Sequence, residues 1–144
     1  MKKTLIHFLI FSAIFIGCNK QEKYVTENSK LFNNKELNIS SEIKTIFIVS
    51  EKGCHGCSKY LYNYILTKTS EKSSYFIVNA TGMGLDITKS KDIKTKNFKI
   101  YRTSDEFFNN TQIILVNNKT IDTIIKINAP EILNQIAFIE NYKK

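Results

Sequence analysis

The chain of 144 residues has the length of one domain, and its composition, 42% hydrophobic and 24% charged, excludes a disordered protein. The formal net charge of +8 comes from 21 lysines and arginines against 13 acidic residues. These cations are scattered along the sequence and form no concentrated basic face of the kind that binds nucleic acid. The charge therefore indicates solvated surface lysines and no nucleic-acid partner.

The first 18 residues read "MKKTLIHFLIFSAIFIGC". A charged start, a short apolar run and a small residue at the cut are typical of a cleaved signal peptide, and the run is shorter than the ~20 apolar residues of a membrane-spanning helix. The ending "FIGC" resembles the lipobox of bacterial lipoproteins, although Phe15 stands where leucine is usual. This resemblance implies a signal peptide over residues 1–17 and lipid on Cys18. An uncleaved signal anchor is the alternative.

A lipidated Cys18 would hold the mature chain to a membrane in the cell envelope, facing the periplasm or the cell exterior, where disulfides persist. Residues 18–41 are predicted as a polar tether that merges into the fold, with a short strand or helix around residues 31–39, and residues 42–144 as one domain. Of the three cysteines, one then carries lipid, and Cys54 and Cys57 remain as a close pair.

The predicted elements begin with "IKTIFIVS" over 43–50, a β-branched and aromatic run that indicates a strand buried on both faces. The CxxC sequence "CHGC" follows, and then an amphipathic helix. One face of this helix carries Cys57, Leu61, Tyr64 and Ile65. "SSYFIVNA" over 73–80 predicts a second buried strand, and the polar residues 81–97, with "TGMGLD", predict a loop or a ragged helix.

The rest of the chain predicts a strand, a turn, a hairpin and a helix. "FKIY" over 98–101 is predicted as an added strand, and "SDEFF" as a short helical turn. "TQIILVNNKTIDTIIKI" predicts two antiparallel strands around Asn117-Asn118, because asparagine tolerates left-handed backbone. The closing helix is predicted with Pro130 in its first turn. Its apolar face is predicted from Ile132, Leu133, Ile136 and Ile139. This order of elements predicts an α/β fold.

The cysteine pair lies between a buried strand and a helix start. Free amide N–H groups and the helix dipole there favour an anion and lower the pKa of a thiol from about 8.5. The i, i+3 spacing brings the two sulfurs close enough to bridge. We expect Cys54 to be the exposed nucleophile and Cys57 the resolving thiol on the helix face. His55, when protonated, would favour the Cys54 thiolate.

The order strand, CxxC, helix and terminal β-hairpin with helix resembles the thioredoxin-like superfamily, in particular the membrane-anchored thiol–disulfide oxidoreductases of the bacterial envelope. The resemblance covers residues 43–144. It implies a three-layer fold, with a central mixed sheet flanked by helices, and an enzyme that needs no cofactor. The partners that it implies are protein thiols and disulfides and a redox partner protein.

The resemblance also carries over site residues, with departures from the family pattern. Thr111 is expected opposite the sulfurs, where the family usually has a cis-proline, and Gly53 faces the substrate where many members have tryptophan. Ile48 stands where thioredoxins place a buried acid, so that Glu51, which is expected to be exposed, is the nearest candidate proton acceptor. These departures indicate a slower or more specialised exchanger than thioredoxin.

Other uses of the cysteine pair fit the sequence less well. A structural zinc site needs four ligands, and the mature chain offers only Cys54, Cys57 and His55, so that no metal is predicted. Copper(I) suits thiolates, and Met83 could approach the pair, but no histidine follows residue 55. Haem attachment through CxxCH fails at Ser58. A non-catalytic binding lipoprotein of the same fold, with a structural disulfide, remains as the alternative, although so short a loop gains little from closure.

Overall fold

The computed structural model describes residues 24–81 and 84–142. Three predicted features lie outside these residues: the signal peptide, the lipid site at Cys18 and the candidate copper ligand Met83. Within them, no helix is long and apolar enough to cross a membrane.

Five strands and three α-helices make up the described part of the chain, with two short 3-10 turns between them. In chain order these elements are α1 (Val25–Phe32), β1 (Thr45–Ser50), α2 (His55–Leu66), β2 (Ser74–Asn79), a 3-10 turn (Ile87–Ser90), β3 (Phe98–Tyr101), a second 3-10 turn (Glu106–Asn109), β4 (Gln112–Asn117), β5 (Thr120–Lys126) and α3 (Ile132–Tyr142).

The strands form one mixed sheet in the order β3-β2-β1-β4-β5, with β1 at its centre. β1 pairs in parallel with β2 and antiparallel with β4. β3 adds in parallel beside β2, and β5 forms an antiparallel hairpin with β4. Every residue of β1 and β2 is buried, which confirms the prediction from their continuous apolar runs.

Each face of the sheet has its own apolar core. Along β1, Phe47 and Val49 point to the core that contains α2 and α3, whereas Ile46 and Ile48 point to the core that contains α1. The sheet is therefore covered by helices on both faces, and the predicted three-layer α/β fold is confirmed.

Residues 24–41, predicted as a tether that merges into the fold, are packed against the sheet. Leu31 of α1 is fully buried, and Leu37 and Ile39 after it are buried as well. The Asn28 side chain accepts a hydrogen bond of 2.8 Å from the backbone N–H of Ile121 in β5. The first helix begins at Val25, earlier than the short element expected around residues 31–39.

The hairpin and the last helix differ in detail from their predictions. The hairpin turn lies one residue later than expected, at Asn118 and Lys119, which have φ angles of 47° and 62°. The last helix begins at Ile132 rather than around Pro130, which lies in the preceding turn. Leu133 was placed on the wrong face of this helix, because its side chain is 65% exposed. The face that packs on the sheet carries Ile132, Ile136 and Ile139.

Candidate functional site

Cys54 and Cys57 form a disulfide in the turn between β1 and α2, at the carboxyl end of the central strand. Their Cα atoms are 5.3 Å apart, within the usual range for a disulfide. Cys54 is exposed, whereas Cys57 is 1% exposed and packs in the core beneath α2. The two sulfurs therefore differ in access: only the first is open to another protein.

Cys54 is also the residue that caps the amino end of α2. Its backbone is extended, and its Sγ accepts a hydrogen bond of 3.3 Å from the backbone N–H of Cys57. A side-chain oxygen of serine, threonine or aspartate usually takes this place. The sulfur thus lies at the positive end of the helix dipole, and no acidic residue lies in the first turn of α2. A negative charge on Cys54 Sγ is favoured by this position.

The turn that presents Cys54 depends on Gly53. The φ angle of Gly53 is +89°, which side chains rarely adopt, although the space around a Cβ at this position is open. The glycine is therefore explained by the backbone of the turn. Its predicted role of facing the substrate stays a prediction.

Hydroxyl groups behind the pair complete the end of β1. The pairing of β1 with β4 ends at Ile48 and Gln112, so that the backbone groups of Ser50 on this side have no partner in β4. The backbone N–H of Ser50 donates to Thr111 Oγ1 at 3.1 Å, and Ser58 Oγ donates to the Ser50 carbonyl oxygen at 2.5 Å. The two hydroxyl oxygens are 2.8 Å apart. The Ser58 hydroxyl has one proton and two carbonyl acceptors, Ser50 at 2.5 Å and Cys54 at 3.0 Å, which favours Thr111 as the donor between the two hydroxyls.

These contacts form a closed ring of buried hydrogen bonds, from the Ser50 N–H through Thr111 and Ser58 to the Ser50 carbonyl. Ser58 also connects the ring to the cysteine pair, because its backbone N–H donates to the Cys54 carbonyl oxygen at 3.0 Å. Thr111 is 7% exposed, and its hydroxyl is engaged inside this ring. Its predicted position opposite the sulfurs and toward the substrate stays a prediction.

Ser58 is the part of this site that the sequence did not indicate. The sequence drew attention to it only as the residue that replaces a haem-binding histidine. One signal was present: a serine on the otherwise apolar face of the helix, between Cys57 and Leu61, is a polar group that needs a buried partner. That partner is Thr111, which is 53 residues away in the sequence, so that the sequence alone did not identify it.

His55, the predicted tuner of the thiolate, is the first residue of α2, and its side chain is exposed. Its ring lies against Gly84, where an added Cβ would be 3.1 Å from both His55 Cε1 and Nδ1. Glu51 was expected to be exposed, as the nearest candidate proton acceptor. It is instead partly buried, and its Oε1 accepts the backbone N–H of Leu85 at 2.8 Å.

The clear pKa shifts lie away from the sulfurs. Burial raises the pKa of Tyr64, and its hydrogen bond to Glu140 in α3 acts in the same direction. The hydrogen bond from Lys30 lowers the pKa of Asp105, which caps the second 3-10 turn. Across residues 24–81 and 84–142, no three histidine, cysteine, aspartate or glutamate side chains are grouped so that they could hold a metal ion.

Together the fold and the site define a small α/β domain with a mixed five-stranded sheet and a CxxC pair at the start of a helix. This arrangement is compatible with a thioredoxin-like fold, and the pair at disulfide distance fits a redox CxxC motif. Comparison of the chain with protein-family models, with curated proteins and with solved structures gave no significant match. The likeness to a thioredoxin-like fold therefore rests on the architecture of the domain and on the geometry of the cysteine pair.

Proposed function

We propose that the protein is a thiol–disulfide oxidoreductase of the thioredoxin-like class that acts on other proteins outside the cytoplasm. The observation that carries this proposal is the position of Cys54: this residue is exposed, its Sγ caps α2, and the buried Cys57 lies one turn behind it. A helix amino end favours thiolate over thiol, and the thiolate is the reactive form in disulfide exchange.

The exchange follows from this asymmetry. In the reduced protein, the Cys54 thiolate attacks one sulfur of a substrate disulfide, the substrate S–S bond breaks, and one substrate thiolate leaves. Cys57 then gives up its proton and attacks Cys54 Sγ, which releases the second substrate thiolate and forms the disulfide of the pair. Two electrons have passed from the protein to the substrate, and the reverse sequence oxidises a substrate dithiol.

The surroundings of the pair support a fixed geometry for these steps. The hydroxyl ring holds the end of β1, and Ser58 connects that ring to the backbone of Cys54. Because Cys57 is buried, a protein substrate reaches only Cys54, which orders the two attacks. Thr111 is proposed to lie at the substrate side of this ring, in place of the cis-proline of the family that the sequence resembles.

We further propose that lipid on Cys18 holds this domain at a membrane surface of the cell envelope. The support is the sequence of residues 1–18, with its charged start, short apolar run and "FIGC" ending. Since the packed domain includes α1 from Val25 onward, lipid on Cys18 would keep the domain close to the membrane. Expression with labelled palmitate should label the full chain but not a Cys18→Ser variant. An equally labelled variant would contradict lipidation.

Trapping of the mixed disulfide tests the exchange itself. A Cys57→Ser variant lacks the resolving thiol and should accumulate disulfides with other proteins through Cys54, seen as bands that a reductant removes. Cys54→Ser is the matched control and should accumulate few, because its remaining thiol is buried. A non-catalytic binding protein with a structural disulfide would trap nothing with either variant, and that result would overturn the proposal.

A further inference from the structure

Residues 84–86, called here the flanking segment, lie against α2 and against the turn between β1 and α2. This turn, residues 51–54, is called here the redox turn. Leu85 inserts its side chain into the core beneath α2 and is 8% exposed. Tyr62 of α2 donates its hydroxyl to the Asp86 carbonyl oxygen at 3.2 Å. The segment is thus held to the helix that carries Cys57 by packing at one residue and by a hydrogen bond at the next.

Glu51 provides the link between the flanking segment and the redox turn. It follows directly after β1, and its carboxylate Oε1 accepts the Leu85 N–H at 2.8 Å. A carboxylate that accepts a backbone N–H is a strong, charge-assisted acceptor. The backbone of the segment is therefore fixed at the residue next to Gly84.

Gly84 brings the segment into contact with His55. A Cβ on Gly84 would lie 3.1 Å from two atoms of the imidazole, closer than ordinary packing allows. Any larger residue would push the ring away by a few tenths of an ångström. The ring belongs to the first residue of α2, immediately after Cys54. The charged side chains on the elements around it are Glu51 and Lys52 on the turn, Lys59 on α2 and Asp86 on the flanking segment.

Resting on the proposed function, we propose that Glu51 and Gly84 are positioning residues for the exchange reaction. Glu51 holds the flanking segment against the redox turn, and Gly84 supplies the surface on which the His55 imidazole rests beside Cys54. A protonated imidazole held there favours the Cys54 thiolate. Glu51 acts in this arrangement through its hydrogen bond to Leu85, and not as the proton acceptor that its sequence position indicates.

The negative charge of Glu51 and its hydrogen bond to Leu85 have opposite effects on the pKa of the Cys54 thiol, and two variants separate them. Glu51→Gln keeps an oxygen acceptor for the Leu85 N–H and removes a negative charge, so that the pKa of the Cys54 thiol should stay the same or fall. Glu51→Ala removes the same charge but also the anchor of the flanking segment. If positioning dominates, Glu51→Ala should raise the pKa of the Cys54 thiol.

The test is the pH dependence of alkylation of Cys54 in the full, reduced chain, with the labelled residue identified by mass. Glu51→Ala and Gly84→Ala should each raise the pKa by about half a unit, roughly a threefold loss of thiolate near neutral pH. Gly56→Ala is the matched control and should leave the pKa unchanged, because in the described residues nothing outside its chain neighbours and its own helix backbone lies within 4 Å of an added Cβ. The reduction potential, measured on the same variants, should become less oxidising in step with the pKa.

A double-mutant cycle separates positioning from general disturbance of the fold. In a His55→Ala background, Gly84→Ala should have no further effect on the pKa, because the ring that it displaces is gone. The same shift in both backgrounds would overturn the inference. Should Glu51→Ala fail to fold, the Gly84 cycle decides alone. A wild-type Cys54 that titrates like free cysteine, near about 8.5, would instead defeat the proposed function. A lowered wild-type value with unshifted variants would defeat only this inference.

Discussion

The two ends of the central strand β1 treat buried hydroxyl groups in opposite ways. At the amino end, Thr45 is fully buried and its Oγ1 has no hydrogen-bond partner among the residues that the structure describes. At the carboxyl end, beside the cysteine pair, the hydroxyls of Thr111 and Ser58 bond to each other and to both backbone groups of Ser50. The same chemical group is unpaired at one end and fully used at the other.

This difference shows where the fold depends on its polar interior. A buried hydroxyl without a partner costs about 1–3 kcal/mol relative to a paired one. The unpaired hydroxyl of Thr45 is therefore a local loss that the packing of the sheet tolerates. The ring at Ser50 lies where β1 ends and the turn to Cys54 begins, so its removal should change both the stability of the fold and the reactivity of Cys54.

The largest expected change in the free energy of unfolding is at the carboxyl end of β1. Thr111→Val keeps the shape of the side chain but leaves the buried N–H of Ser50 without its acceptor, and should lower the free energy of unfolding by about 2 kcal/mol. Urea denaturation of the oxidised protein measures this change. Thr111→Ser keeps the hydroxyl and is the control, with the smaller loss of one methyl group.

Removal of the other member of the ring should cost less. Thr111 Oγ1 lies 3.3 Å from the Ser50 carbonyl oxygen, so that Thr111 can donate to this carbonyl when Ser58 is absent. Ser58→Ala should therefore lower the free energy of unfolding by about 1 kcal/mol, less than Thr111→Val. A larger loss from Ser58→Ala than from Thr111→Val, in the same urea titration, would show that the order of donors in the ring is wrong.

The opposite sign is expected at the amino end of β1. Thr45→Val replaces an unpaired buried hydroxyl by a methyl group of similar size, and should raise the free energy of unfolding by about 1 kcal/mol. Thermal and urea unfolding both measure the gain. Thr45→Ser keeps the hydroxyl and loses a buried methyl group, so it should destabilise. A stabilised serine variant or a destabilised valine variant would remove the contrast between the two ends.

A surface ion pair gives the smallest effect and a baseline for these comparisons. Lys30 of α1 contacts Asp105 at 2.8 Å and lowers the pKa of that carboxyl. A lowered folded-state pKa adds stability above the unfolded value of about 3.9, and this stability is lost as the pH falls through the folded value. Asp105→Asn keeps the cap on the Phe107 N–H and removes the charge, at a cost of about 0.5 kcal/mol at neutral pH.

Unfolding of the Asp105→Asn variant across acid pH tests this sign. The variant and the wild type should differ at neutral pH and converge as the pH falls below the lowered folded-state pKa of Asp105, where the carboxylate is protonated. A difference that persists in acid would assign the effect to the cap rather than to the ion pair.

The sequence was sufficient for those parts of the fold that depend on local pattern. The continuous apolar runs predicted β1 and β2, and the amphipathic pattern predicted α2, which begins at His55, inside the CxxC sequence. The first helix was placed too late because its stretch carries few apolar residues. Leu133 was assigned to the wrong face of α3 because a run of neighbouring apolar residues leaves the helical phase undecided.

The contacts that shape the candidate site could not be predicted, because they join residues far apart in the chain. Thr111 meets Ser50 across 61 residues, and Glu51 meets Leu85 across 34. The sequence identified Thr111 through a family resemblance, but it held no sign that its hydroxyl completes the end of β1. The contact between Gly84 and His55 could not be predicted either, because the sequence "TGMGLD" does not indicate which residue Gly84 contacts.

The most direct measurement is the reduction potential of the Cys54–Cys57 pair, by equilibration with glutathione buffers and quantification of the free thiols. A pair that exchanges with other proteins should have a potential between about −270 and −120 mV, because the helix start favours the reduced, thiolate form. A potential below about −300 mV would mark a disulfide that resists reduction and would contradict the proposed exchange.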